Sequence, residues 1–142
     1  LASLGIEQVE VISLPSLSII LTGDEIIEIG QALQPGQIYN ANGPALMAYL
    51  SQMGISEVTV LKVKDEKSEV TRVIGEALEA SDVVLLTGGI SVGDYDFVKG
   101  SLAENEVAQL FYKVKQKPGK PIFAGVKGEK MVFALPGNPA SV

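Results

Sequence analysis

The feature that most constrains this chain is a set of short apolar runs, each ending in a polar, glycine-bearing turn. Ser16 to Leu21 is apolar and β-branched and runs into Thr22-Gly23-Asp24-Glu25. Asp82 to Thr87 repeats the arrangement and feeds Gly88-Gly89-Ile90-Ser91-Val92-Gly93-Asp94-Tyr95-Asp96. Segments of helical period lie between and after them. Asn42-Gly43-Pro44 opens one helix, with Asn42 as its cap and Pro44 in the first turn. Leu46, Met47, Leu50 and Met53 form its apolar face, and Gly54 stops it. Ser68 caps a second helix whose Val70, Val73, Ile74, Ala77 and Leu78 face inward, and Phe97 to Glu104 reads as a third. Glu57 to Val63 reads as a strand, whereas Gly30, Pro35 and Gly36 keep the stretch before Asn42 irregular. Strands alternating with helices imply an α/β domain with a mainly parallel sheet covered on both faces. Ala108 to Val114 reads as a further strand. Pro121 to Val126 and Lys130 to Leu135 read as a hairpin around Gly128-Glu129, so the sheet is mixed. Asn138-Pro139 is a cap followed by a first-turn proline, and a helix is expected to start there.

Composition narrows the chemistry. The 142 residues suit one domain. With neither Cys nor His in the chain, disulfides, thiolate or imidazole metal sites and complete Ser-His-Asp triads are excluded. Carboxylates, lysines, hydroxyls, amides and hard cations remain. A net charge of -6 argues against a general nucleic-acid binder. Val9 to Leu21 is too short, and too interrupted by Ser13, Pro15, Ser16 and Ser18, to span a membrane. No basic segment precedes it, so no signal peptide is expected either. The chain begins at Leu1 and stops at Val142, where the cap and first-turn proline open a helix. The expectation is a piece of a longer protein, with residues 1–15 leading in from a preceding domain and residues 16–142 forming this one.

In such folds ligands collect beyond the carboxyl ends of the strands. Three polar segments are expected there: Thr22 to Glu25, Gly88 to Asp96, and Pro136 to Ser141. Gly89-Ile90-Ser91-Val92-Gly93 matches the G-x-S-x-G elbow of hydrolases, but without a histidine Ser91 has no base. A plain glycine-rich turn and an anion cradle of backbone N–H groups both remain open. Asp94 and Asp96, with Asp24 and Glu25 at another strand end, are oxygen ligands of the kind that suit Mg²⁺; Asp94 or Asp96 can equally cap the next helix. Four of the 11 cations, Lys113, Lys115, Lys117 and Lys120, fall within eight residues. In an extended strand Lys113, Lys115 and Lys117 share a face. That strip is either a solvated edge or, beside Pro118-Gly119-Lys120-Pro121, a site for an anionic substrate. Pro136-Gly137-Asn138-Pro139 is an ordinary turn or a helix N-terminus offering free N–H groups to a second anion.

Taken in order, these segments, together with Gly36-Gln37-Ile38-Tyr39-Asn40-Ala41-Asn42-Gly43, resemble one family over essentially the whole chain. It is the molybdopterin molybdotransferase (MoeA) family, which includes the gephyrin E domain. The CinA-like family shares the Gly-Asp-Glu start but typically has Gly-Pro-Thr-x-Asp-Asp where this chain has Ser91-Val92-Gly93-Asp94-Tyr95-Asp96, so it ranks second. The resemblance implies a three-layer α/β/α fold like that of MogA proteins. It implies Mg²⁺-dependent insertion of molybdate into adenylylated molybdopterin, giving molybdenum cofactor and AMP. Catalytic positions would fall on Glu25, Asp65, Asp96, Lys113 and Lys117, and metal ligands on Glu25, Asp94 and Asp96. Substrate would be lined by Thr22, Gly23, Asp24, Gly88, Gly89, Ser91, Gly93, Asp94, Lys120, Pro136, Gly137, Asn138, Pro139 and Ser141. It further implies a cytoplasmic homodimer supplied by a MogA-like adenylyltransferase. A non-catalytic scaffold, as in the gephyrin branch, is the alternative class; the acidic cluster and lysine strip favour an enzyme over an apolar docking surface.

Overall fold

The computed structural model describes residues 1–90 and 97–142. Residues 1–14 are exposed and carry one 3-10 turn, Ala2–Leu4. The described strands are β1 (Leu17–Thr22), β2 (Ile26–Ile27), β3 (Ile38–Tyr39), β4 (Val58–Val63), β5 (Val83–Thr87), β6 (Ala108–Tyr112), β7 (Phe123–Lys127) and β8 (Lys130–Leu135). The helices are α1 (Asn42–Gln52), α2 (Lys67–Ala80) and α3 (Phe97–Glu104), with a 3-10 turn at Pro139–Ser141. Six strands pair in the order β4-β1-β5-β8-β7-β6. The pairs β1–β4, β1–β5 and β5–β8 are parallel, and β7 runs antiparallel to both its neighbours. The mixed, mostly parallel sheet expected from the sequence is therefore present.

Helices cover both faces. Every residue of β1 is buried, as expected of a strand flanked by two others and covered on both sides. Leu17, Ile19 and Leu21 pack with Leu46 and Leu50 of α1. Ile20, Val84, Leu86, Val132 and Ala134 pack against α2 and α3 on the other face. Burying a side chain such as Ile19 or Ile20 stabilises the fold by roughly 1.5–3 kcal/mol. The five apolar positions read for α2 are all buried. On α1 only Leu46 and Leu50 are; Met47 and Met53 face outward, because one helix covers this side and its outer face has no neighbour.

Several local expectations need correction. Asn42 does not cap α1. It lies inside the helix, and Asn40 supplies the cap by accepting the Gly43 N–H at 3.0 Å. Ser68 is likewise inside α2, and its hydroxyl donates to Glu66 Oε1 at 2.7 Å. The stretch before Asn42 is not wholly irregular, since β2 and β3 form a small parallel pair. The Lys62 ammonium donates to the Ile26 carbonyl, tying that pair to β4. β6 ends at Tyr112 because Lys113 turns to φ 62°, so Lys113, Lys115 and Lys117 do not share a strand face. No helix among the described residues is long and apolar enough to cross a membrane.

Candidate active site

The strand register brings five turns to one edge of the sheet. Thr22 pairs with Val63, Leu21 with Thr87, and Thr87 with Leu135. Phe123 pairs with both Ala134 and Tyr112, so the 113–122 loop opens on this same edge. Thr22 to Glu25, Asp65, Gly88 and Gly89, the lysine loop, and Pro136 to Ser141 thus follow strand ends that lie side by side. Ser91, Gly93, Asp94 and Asp96 lie outside the described residues.

Close contacts join these turns. A methyl added at Gly88 would stand 2.4 Å from the Thr22 carbonyl oxygen, and one at Gly137 would stand 3.5 Å from Gly88 Cα. The Thr22 hydroxyl donates to the Thr87 carbonyl at 3.4 Å, closing β1 against β5. Asn42 Nδ2 donates to the Gly137 carbonyl at 2.9 Å, anchoring the last turn to α1. A methyl at Gly119 would lie 3.6 Å from the Ser141 carbonyl oxygen, so the lysine loop rests on that same turn. The Glu25 carboxylate folds back over Gly23, within 2.8 Å of where a Cβ would stand.

The acidic side gathers Asp24, Glu25 and Asp65. Partial burial, then the charges of Glu25 and Asp24, push the Asp65 carboxyl above its ordinary 3.8. A cation or proton would relieve this crowding. Among the described residues, however, no group of three or more carboxylates is placed to chelate a metal ion. Beside Gly23 and Asp24, Lys62 and Lys64 help line a cavity of about 330 Å³. A second cavity, about 350 Å³, lies between Asn42 and Tyr49 of α1 and Pro139, Ala140 and Val142.

The basic side is the 113–122 loop, where Lys113, Lys117 and Lys120 are exposed. Lys113 N–H donates to Ile122 O at 2.8 Å, and Val114 N–H to Lys120 O at 3.0 Å. Lys117-Pro118 is a cis peptide bond. Among the described residues no ion pair links these lysines to Asp24, Glu25 or Asp65. Asn138 and Pro139 open a helical turn at Pro139–Ser141, the start expected there. Asn138 Oδ1 accepts the Ala140 N–H at 3.0 Å, and Asn138 O accepts the Ser141 N–H at 2.8 Å. Both N–H groups are thus bound within the turn.

Another cavity, about 580 Å³, lies at the opposite edge, between the end of α2, Asn105 and the β7–β8 turn. Two of its charged groups are held within the fold: Ser16 N–H and hydroxyl both donate to Asp82 at 2.8 Å, and Lys130 donates to Ser81 O at 2.8 Å. The Ser16 amide, then its hydroxyl, hold the Asp82 carboxyl below the usual range.

A family model described as a probable molybdopterin binding domain matches residues 18–142. The chain belongs to this family. The molybdopterin molybdenumtransferase of Staphylococcus aureus (strain Mu50 / ATCC 700699) is 37% identical to this chain over 142 residues, 99% of this chain and 34% of that protein. The chain thus spans about a third of the length of the curated relatives it matches. A MoeA molybdopterin biosynthesis protein of Pyrococcus horikoshii superposes with a TM-score of 0.76 at 34% identity, covering 89% of this chain and 31% of that one. A CinA protein of Thermoplasma acidophilum superposes at 0.68 with 19% identity, over 89% and 90% of the two chains, which is a likeness of fold alone.

Sequence reading missed three contributors to this edge. Asn42 was read as a cap instead of an anchor for Gly137. Tyr112 and Lys99 drew no attention, although the ammoniums of both Lys99 and Lys113 lie over the Tyr112 ring. The available signal was the Asp96-Phe97-Val98-Lys99 stretch, which places a cation one turn into the helix that follows the glycine-rich segment.

Proposed function

We propose that this domain acts in molybdenum cofactor biosynthesis as the catalytic part of a molybdopterin molybdotransferase, inserting molybdate into adenylylated molybdopterin and releasing AMP. The observation that carries this reading is the segregation of charge along one sheet edge. Carboxylates follow β1 and, beside Lys64, β4; a run of lysines with no carboxylate among them follows β6; and a glycine-lined floor at Gly88 and Gly137 lies between. Lys113, Lys117 and Lys120 bind oxyanion, each charge-assisted bond adding roughly 1.5–3 kcal/mol. Gly88 and Gly89 let the turn after β5 close onto Thr22 and Val98, where a Cβ would not fit, and so set the floor of the site. Fixed charges set around the scissile phosphoanhydride supply the rate, and no covalent nucleophile is needed. Glu25, together with Asp94 and Asp96, would hold Mg²⁺, which would supply charge neutralisation at the phosphates. A homodimer, a MogA-like adenylyltransferase upstream and a cytoplasmic location belong to the same proposal.

Calorimetric titration of the chain with molybdate, AMP and Mg²⁺ tests it. Saturable binding of molybdate and AMP, with Mg²⁺ strengthening AMP, is the expected result; no binding of either anion would remove the proposal. In the full-length protein, Glu25→Gln and Asp96→Asn are expected to abolish insertion while leaving the fold intact.

A further inference from the structure

We infer that Asn42 is a positioning residue for the anion site: its buried side-chain amide holds the Pro136–Ser141 turn in place against the Gly88 floor. The inference rests on the function proposed above for what the turn helps to bind. Asn42 Nδ2 donates to the Gly137 carbonyl at 2.9 Å, across 95 residues of chain. Asn42 is 6% exposed, whereas Gly137, Asn138, Pro139 and Ala140 are all exposed.

The turn has little else to fasten it. Its internal bonds, from the Ala140 N–H to Asn138 Oδ1 and from the Ser141 N–H to Asn138 O, fix its shape but not its place. Between it and α1 lies the cavity of about 350 Å³, with Ala45, Leu46 and Tyr49 on the helix side. Among the described residues, the Asn42 amide supplies the hydrogen bond that crosses from the body of the fold to this turn. Two neighbours depend on where the turn sits. A Cβ at Gly137 would lie 3.5 Å from Gly88 Cα, and one at Gly119 in the lysine loop would lie 3.6 Å from the Ser141 carbonyl oxygen. The Asn42 bond therefore sets the floor and the basic loop together. A turn held in advance spares a ligand the cost of ordering it.

The other half of the amide separates this role from a stabilising one. Asn42 Oδ1 is buried and has no hydrogen-bond partner among the described residues. Buried polar atoms are as a rule hydrogen-bonded, so an unmet one marks a constraint from elsewhere. Leaving a buried acceptor unmet costs at least as much as a typical intramolecular hydrogen bond returns. Gly137 is exposed, so its carbonyl takes water when Nδ2 is removed. Asn42 therefore adds little to the stability of the fold, and its effect falls on the turn.

The test is calorimetric titration of the 142-residue chain with AMP and with molybdate at fixed ionic strength, alongside thermal melts. Asn42→Ala and Asn42→Leu lack the donor, and each is expected to weaken both ligands about 3- to 10-fold, the worth of one hydrogen bond. Their melting temperatures should fall by no more than about 3 °C, because loss of the bond is offset by loss of the unmet acceptor. Asn42→Gln keeps an amide donor and should bind more tightly than Asn42→Leu, which separates the donor from the bulk of the side chain. Asn42→Leu carries the test if Asn42→Ala does not fold. Variants that bind as wild type, whatever their melts, make Asn42 a structural anchor only; the inference is then refuted and the proposed function stands. Weaker binding with a melt lowered by more than about 3 °C, failure of both variants to fold, or Asn42→Gln binding no better than Asn42→Leu refutes it in the same way. No binding of either anion by the wild type removes the proposed function, and this inference with it.

Discussion

Gly88→Ala probes the contact on which the whole edge rests. Gly88 follows β5 with φ +85°, and an added methyl would meet the Thr22 carbonyl oxygen at 2.4 Å and Thr22 Oγ1 at 2.8 Å. Neither atom can retreat, because Thr22 is 1% exposed and ends a strand held on both sides by β4 and β5. The left-handed backbone costs about 1 kcal/mol for a residue with a Cβ. Overpacking adds about 1–3 kcal/mol. The sum, about 2–4 kcal/mol, is a large share of a typical stability of about 5–15 kcal/mol. Gly128→Ala is the control: φ there is +60°, and an added methyl would meet nothing within 4 Å, so only the backbone cost of about 1 kcal/mol applies. In urea, with a slope of about 2 kcal/mol/M, the Gly88 variant should lose about 1–2 M of midpoint and the control about 0.5 M. Equal shifts would show that the Thr22 contact yields, and that Gly88 is needed only for its backbone angle.

Three further outcomes are expected. Thr87 Oγ1 is buried without a hydrogen-bond partner among the described residues. Thr87→Val should therefore stabilise the chain by about 1 kcal/mol in urea unfolding, and a loss of that size would mean the hydroxyl is bonded. Asp65 binds its proton more tightly in the folded chain than in the unfolded one, because burial and the charges of Glu25 and Asp24 raise its pKa above 3.8. Its ionised form thus destabilises the fold at neutral pH, and the penalty fades as pH falls through the raised value toward 3.8. Asp65→Asn should melt higher than wild type at pH 7, with the gap closing near pH 4; a gap independent of pH would contradict the assignment. Asn40→Ala removes the acceptor for the Gly43 N–H and should cost about 1 kcal/mol, read as a lower melting temperature.

Legibility in the sequence followed the length of the periodic signal. Val70, Val73, Ile74, Ala77 and Leu78 keep helical spacing over more than two turns, and all are buried. The apolar runs of β1 and β5 read as strands because a strand buried on both faces has no polar alternation to confuse it. Short or broken signals misled. Ile26-Ile27 and Ile38-Tyr39 are two-residue strands with no period to detect. The lysine strip assumed that alternation continued past Tyr112, but a single left-handed residue ended it. Asn42 has the right chemistry for a cap, and so does Asn40 two residues earlier; which one faces Gly43 depends on the entry path of the chain. For the site, the strand-end segments were legible because a parallel sheet sends its carboxyl ends to one edge. The pairing of Lys99 with Lys113 across Tyr112 was not, since it joins segments with no common period.

The reversed strand explains how a basic loop reaches an acidic edge. After β5 the chain crosses back through α3, and β6 then runs parallel to β5 and β8, ending at the carboxyl edge. A helical crossover from there would carry the chain over a face of the sheet and separate the next two turns by the width of a helix. Instead β7 returns within the sheet, directly hydrogen-bonded between β6 and β8. The tight turn at Gly128-Glu129 sends β8 forward again, so the chain reaches the carboxyl edge a second time one hairpin later. The 113–122 loop and the Pro136–Ser141 turn therefore open as neighbours, close enough for Gly119 to approach the Ser141 carbonyl. Gly137 in turn lies against Gly88, and Gly88 against Thr22, so the lysine loop and the carboxylates of Asp24, Glu25 and Asp65 flank a floor only a few strands wide. The antiparallel strand is the element that makes the two-signed edge possible. A loop insertion between Gly128 and Glu129 should leave that edge and its anion binding intact, whereas lengthening the chain between Gln116 and Pro121 should weaken oxyanion binding without lowering stability. Calorimetry and melting curves on the two insertions separate these outcomes, and equal loss of binding in both would show that the edge depends on the hairpin as a whole.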